Sequence, residues 1–144
     1  MKTILTGIRV NSELTLGNFL GALLPMTRLA NKYSDDHNVN IFVADLHTII
    51  AASGKLKKEL LNQNISLFLS EKIDKREKML ESYFKEVEII EGKKYNCSYV
   101  SNPIIKDGEC IGLILIFSLT DKLNIEQLQI SNIVSSFITK YLEE

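Results

Sequence analysis

The chain has 144 residues, 45% of them hydrophobic and 24% charged, with 17 basic and 18 acidic side chains and a net charge of −1. That length suits one domain with a single core, and the near-neutral balance lacks the basic stripe of a nucleic-acid footprint. Lys55, Lys57 and Lys58 form the only dense basic run, which reads as a solvated helix face.

No apolar run reaches the ~18 residues that cross a bilayer; the longest, residues 111–117, is strand-sized. Cys97 and Cys110 are the only cysteines. They lack metal-ligand spacing and no signal peptide is visible, so they read as buried or half-buried thiols of a cytoplasmic protein.

Residues 2–8 (KTILTGI) are rich in strand formers and end near Gly7. Residues 11–15 are turn-like, and Thr15 is placed to cap a helix opening at Leu16. Leu16, Phe19, Leu20, Leu23, Leu24, Met26 and Leu29 give that helix a broad apolar face. Pro25 interrupts it, either as a kink or as the junction of two helices. Residues 32–38 are polar and predict a loop.

Residues 39–44 predict a buried strand, Asp45-Leu46-His47 a turn, and residues 48–52 a second strand closed by Ser53-Gly54. Leu56, Leu60, Leu61, Ile65, Phe68 and Leu69 recur at helical spacing, which predicts one amphipathic helix of about four turns. A shorter helix is expected over residues 75–82.

Residues 86–91 predict a strand closed by Gly92. Residues 98–105 predict another, with Pro103 marking an edge or a bulge. Lys106-Asp107-Gly108-Glu109 is a hairpin turn by its Asp-Gly centre. Residues 110–117 (CIGLILIF) are the most hydrophobic strand and should lie centrally, with Gly112 admitting a close neighbour. A C-terminal helix follows, striped by Ile125, Leu128, Ile133, Val134, Phe137, Ile138, Tyr141 and Leu142. Asn124 and Gln127 form its capping box. Hairpins dominate this order, so the fold class is α+β: a mainly antiparallel sheet with helices packed on it.

Nucleophilic chemistry has no visible seat: no nucleophile stands beside a base, and no cluster has metal-ligand spacing. His47 is a possible ligand contact, although a turn histidine is more often simply exposed.

The opening run LTGIRVNSELTLGNFLGALLPMTRLANKY, followed by NIFVADLHTI, resembles the tryptophanyl-tRNA synthetase family. Its class I signature takes the form Thr-x-Gly-Asn, here Thr15-Leu16-Gly17-Asn18. By that resemblance Thr15, Gly17 and Asn18 are vestigial nucleotide-binding residues. A helix N-terminus offers free N–H groups to ATP phosphates, and Gly17 lets backbone and nucleotide approach. Asp45–His47 also matches a family segment near the active site. The family commonly has Pro-Thr/Ser-Gly before the signature, where Val10-Asn11-Ser12 stand here. The amino-acid pocket, the tRNA-binding domain and the Lys-Met-Ser-Lys-Ser loop are missing. Lys78-Met79-Leu80-Glu81-Ser82 is not that loop, because Glu81 reverses the charge of its second lysine. The resemblance therefore implies a fragment that is inactive alone, with ATP as a cofactor only if binding survives.

From about residue 38 onward the chain resembles the C-terminal GAF-type domain of stage V sporulation protein T. The carrying segments are DLHTIIAASGKLKKELLNQNISLFLSEKIDKREKMLES and SYVSNPIIKDGECIGLILIFS, with the C-terminal helix after them. FVADLHTII (residues 42–50) fits both families, so two coding sequences could have joined there, by recombination or by faulty assembly. The implied division is a truncated synthetase-like segment at 1–38 and a GAF-type sensor at 39–144.

The second resemblance implies a central antiparallel sheet with a helical layer on one side and a ligand pocket on the other. Residues 18–33 would take the place of the opening GAF helix and pack beside the C-terminal helix, and that layer implies a homodimer. Tyr95, Tyr99, Ser101 and Asn102 are the candidate pocket residues for an unknown small molecule, against the blander reading of sheet packing and a bulge. The regulator's DNA-binding domain has no counterpart here, so neither DNA nor membrane is an expected partner. The leading reading is a non-catalytic sensing and dimerisation domain without a cofactor. The alternatives are the inactive synthetase fragment and a module that binds a protein partner through its helical face.

Overall fold

The computed structural model describes residues 24–142, and the side chains of 28–140. Its elements are α1 (Leu24–His37), β1 (Asn40–Ala44), β2 (Ile49–Ser53), α2 (Lys57–Leu60), α3 (Leu67–Lys75), β3 (Met79–Ile90), β4 (Lys93–Lys106), β5 (Glu109–Ser118) and α4 (Ile125–Leu142). The expected strand at 2–8 and the signature residues Thr15, Gly17 and Asn18 lie outside the described residues.

The strands form one sheet in the order β2-β1-β5-β4-β3, and every described pairing is antiparallel. β5 is central because it is buried on both faces. Leu113, Leu115 and Phe117 enter one core cluster, while Ile114 and Ile116 enter the other. This period-2 alternation between two cores explains why the strand reads as an unbroken apolar run. β4 splits the same way: Tyr95, Cys97 and Tyr99 face the first cluster, Val100 and Ile104 the second. The first cluster lies under α2 and α3; the second lies under α1 and α4.

The hairpins follow their sequence signals. Asp107 and Gly108 carry φ of 53° and 81° and join β4 to β5 with Lys106 opposite Glu109. Pro103 pairs with Leu113 of β5 but lies past the end of the β3 ladder, which stops at Met79↔Ser101. Its missing N–H therefore faces an unpaired side, next to a register shift at Ile104/Ile105. The capping box forms as read: the Asn124 N–H donates to Gln127 Oε1 at 2.8 Å, and Asn124 Oδ1 accepts from the Glu126 N–H at 2.9 Å.

Three expectations are corrected. Residues 32–38 are not a loop, since α1 runs to His37. Their polarity is that of a helix face turned to solvent, laced by the Lys32–Asp36 pair and by His37 stacked on Tyr33. Asn38, with φ 55°, ends it. Pro25 lies in the first turn of the described part of α1.

The four-turn helix from Leu56 is broken in two. Asn62 turns left-handed at φ 68°, and Asn64 and Ile65 bridge to Thr48 and Ile90 as extended backbone. Ser66 then caps α3, accepting from the Leu69 N–H. Finally, the helix expected over 75–82 does not form. Arg76 at φ 57° terminates α3, and β3 starts at Met79, longer than the strand read at 86–91.

Candidate functional site

The two faces of the sheet are built for different work. The first carries an aromatic floor. Phe42 and Phe117 meet edge-on at 6.4 Å, Tyr95 lies 5.6 Å from Phe117, and Phe68 of α3 meets Tyr99 edge-on at 6.1 Å. Tyr95 donates its hydroxyl to Glu59 of α2, which Lys93 also holds at 2.5 Å. Tyr99 donates to the Met79 sulfur at 3.2 Å. Burial, then the Glu59 carboxylate, raises the Tyr95 pKa. Burial foremost pushes Tyr99 up to about 12.

Ser101 sits on this same face, between Met79 of β3 and Leu115 of β5. It is wholly buried, and its Oγ has no hydrogen-bond partner. An orphaned buried hydroxyl is uncommon in a native fold and calls for a water, a ligand or strain to explain it. Tyr95, Tyr99 and Ser101 are thus brought to one face. Asn102 is not: it points to the opposite face, where its Nδ2 donates to Ser131 Oγ at 3.0 Å and Asn132 Oδ1 at 2.7 Å. Its chemistry is the docking of α4 on β4.

His47 is exposed in a turn that Asp45 organises. Asp45 Oδ1 accepts from the N–H groups of His47 and Thr48, both at 2.8 Å, and the His47 carbonyl accepts from the Ile65 N–H at 2.9 Å. Burial pushes the Cys97 thiol up to about 12 and also raises Cys110. Neither is a thiolate at neutral pH, so neither is a ready nucleophile. Among the described residues no His/Cys/Asp/Glu group could hold a metal ion, and no helix is long and apolar enough to cross a membrane.

The second face carries an open groove of about 410 Å³ between α1 and α4, floored by β1 and β2. Ile41, Val43 and Ala51 form the floor, with Leu29 and Ile133 on the lips. Tyr33 ties the helices together at one end: its hydroxyl donates to Glu126 Oε2 at 2.9 Å and accepts from Gln127 Nε2 at 3.0 Å. Of the stretch expected to pack beside α4 (residues 18–33), residues 18–23 lie outside the described residues; the described part meets α4 at the Tyr33 bridge, with the groove alongside. The sequence stripe contained Leu29 and Ile133 but did not separate exposed positions from core. Glu59 and Lys93 carried no signal at all, because their meeting depends on how α2 crosses the sheet.

The profile of the family described as "Stage V sporulation protein T C-terminal, transcription factor" matches residues 26–143. The chain belongs to that family. Stage V sporulation protein T of Bacillus subtilis is 29% identical over 116 residues, which cover 80% of this chain and 65% of the relative. The chain thus spans under two thirds of that relative's length. Members of this domain family are parts of transcription factors, so a regulatory domain is the coarse assignment.

A second likeness overlaps the first. The tryptophan–tRNA ligase of Malacoplasma penetrans is 49% identical over 49 residues, which are 34% of this chain and 13% of the ligase. Both resemblances read in the sequence are therefore present.

Solved structures agree on a GAF-like fold. The cofactor-binding GAF domain of the nutrient sensor CodY from Clostridium difficile superposes with TM-score 0.57 at 13% identity, covering 91% of this chain and 97% of that one. A type II free methionine-R-sulfoxide reductase from Thermoplasma acidophilum gives TM-score 0.61 at 17% identity, covering 88% and 94%. At such identities the fold is what is shared.

Proposed function

We propose that the chain is a non-catalytic, small-molecule-sensing and dimerising domain of the transcription-regulator type. The observation that carries it is Ser101: a wholly buried hydroxyl, without a partner, in the aromatic face of the sheet. The face around it is apolar with few polar groups, the usual composition of a small-molecule site. The cofactor-binding GAF domain of the nutrient sensor CodY fits the same use of the fold. The high thiol pKa of Cys97 speaks against a reductase-like reaction.

Equilibrium dialysis against a small-molecule cell extract, read by mass spectrometry, tests the sensing reading. A compound enriched on the wild type and lost from Ser101→Ala supports it. An extract left unchanged by the protein overturns it.

Dimerisation rests on the groove between α1 and α4, whose floor is apolar and whose lip residues Leu29 and Ile133 are exposed. A second reading, a ligase fragment inactive alone, rests on the ligase likeness at 49% identity. Tryptophan-driven ATP–pyrophosphate exchange above background would contradict the word "inactive" and the non-catalytic proposal with it.

A further inference from the structure

Residues 54–61 cross the aromatic face between two left-handed backbone positions. Gly54 has φ 109°, and a side chain there would fall 2.8 Å from the Val39 carbonyl oxygen. Asn62 has φ 68°. Between them the backbone bonds mainly to itself: Lys57 N–H to Gly54 O, Glu59 and Leu60 N–H to Leu56 O, and Leu61 N–H to Lys57 O. These bonds make the single turn of α2 and survive any movement of the segment as a unit. By contrast residues 62–66 are stitched to the body, with Asn62 on Ile49, Ile65 on His47, and Ser66 on Ile89.

Four ties hold 54–61 down. The Leu56 N–H donates to Asn40 Oδ1 at 3.0 Å, the half-buried Leu56 side chain packs against the cluster that contains Phe42, Tyr95 and Phe117, Leu60 is wholly buried in that cluster, and Glu59 receives Lys93 and the Tyr95 hydroxyl. Lys93 also lies 5.4 Å from the centre of the Tyr95 ring. Lys55, Lys57 and Lys58 face solvent, which leaves that side unanchored.

We propose that residues 54–61 are a hinged strap, latched by Glu59 to Lys93 and Tyr95, that opens as a unit to admit a ligand to the aromatic face. The ligand rests on the sensing reading above; the hinge and latch do not. A segment with few ties beyond itself opens more cheaply than the fold melts. Opening exposes an apolar, aromatic floor, which a neutral, largely apolar small molecule would fill. The latch is partly exposed, so salt weakens it.

Cys97 reports on the opening without any ligand, because it lies fully buried in the same cluster as Leu60. In the full chain carrying Cys110→Ser, the rate of Cys97 labelling by an aromatic disulfide is followed from zero to moderate urea. The strap predicts labelling that is nearly independent of urea at low urea, faster than global unfolding allows. Glu59→Gln should speed it about fivefold to tenfold. Raised salt should speed the parent but not Glu59→Gln.

Hydrogen exchange gives the second reading: the amide of Leu56, whose acceptor Asn40 Oδ1 lies off the strap, should exchange faster in Glu59→Gln, while Asn62 and Ile65 stay unchanged. Labelling that follows global unfolding at every urea concentration, or a Glu59→Gln rate equal to the parent's, overturns the strap. A strap that opens in a protein that enriches no compound in dialysis would sink the sensing reading and leave the strap standing.

Discussion

Gly112 shows how much one residue decides. It lies on β5 where β1 crosses closest, and a Cβ there would collide with the Ala44 carbonyl oxygen. The pairing Ala44↔Leu113 ends the β1 ladder at that point. Backbone cannot retreat as a flexible side chain does, so Gly112→Ala should destabilise the fold by about 1–3 kcal/mol, as overpacking does. Urea unfolding checks this; an unchanged midpoint would mean that the strands separate freely.

The buried phenols and thiol make a second residue-scale prediction. Cys97, Tyr95 and Tyr99 all have folded pKa values raised by burial. A raised value favours the protonated form in the fold. The stabilisation is complete below the unfolded values, roughly 8.5 for Cys and 10 for Tyr. It is lost as pH climbs toward about 12, the folded value of Cys97 and Tyr99. Stability should fall above about pH 9, by up to about 1.4 kcal/mol per pH unit for each group titrating. Denaturation at pH 8, 10 and 11 checks the slope, and Tyr99→Phe should flatten it. At this scale the sequence was informative about type and silent about direction. Tyr95, Tyr99 and Ser101 share one face of the sheet, whereas Asn102 was grouped with them only by adjacency. In a strand, neighbours in sequence point to opposite faces.

The elements were legible where periodicity was pure and not where a turn interrupted it. β5 and α4 follow their patterns closely. The stretch from Leu56 to Leu69 kept helical spacing through a break, because Ile65 remains buried while serving as a bridge residue. The signal of the break was Asn62 with Asn64 and Ser66, polar residues suited to left-handed and capping positions.

Ser66 is the joint of this region. Its Oγ accepts from the Leu69 N–H at 3.2 Å and donates to the Glu88 carbonyl at 2.5 Å, so it starts α3 and fastens it to β3. Ser66→Ala removes a cap and takes the side-chain donor from the part-buried Glu88 carbonyl. It should cost about 2 kcal/mol, at the upper end for caps. Asn124→Ala removes an exposed cap and should cost about 1 kcal/mol. Equal losses in parallel urea titrations would show that the Glu88 contact contributes nothing.

For the whole molecule, the sequence foresaw a sheet with a helical layer but not that helices cover both faces, because α2 and α3 were merged. It also left the groove unseen, since Leu29 and Ile133 are indistinguishable from core residues in a stripe. They are 64% and 60% exposed, and Ile130, Val134 and Ile138 line the wall behind them. A surface of this composition favours an apolar partner, and a second copy offers the same surface in return. Under two-fold symmetry every contact is made twice.

Burying one Ile side chain contributes roughly 1.5–3 kcal/mol, so two per dimer make Ile133 worth at least about a hundredfold in dissociation constant. Ile133→Glu also places two like charges at the symmetric seam. Light scattering should therefore give twice 16.3 kDa for the wild type and 16.3 kDa for Ile133→Glu, with unaltered far-UV circular dichroism. The dimer should persist in high salt, as apolar association does. A monomeric wild type at tens of micromolar, or a variant that stays dimeric, would end the case for α1 and α4 as the dimer seam. It would return the groove to a partner of another kind.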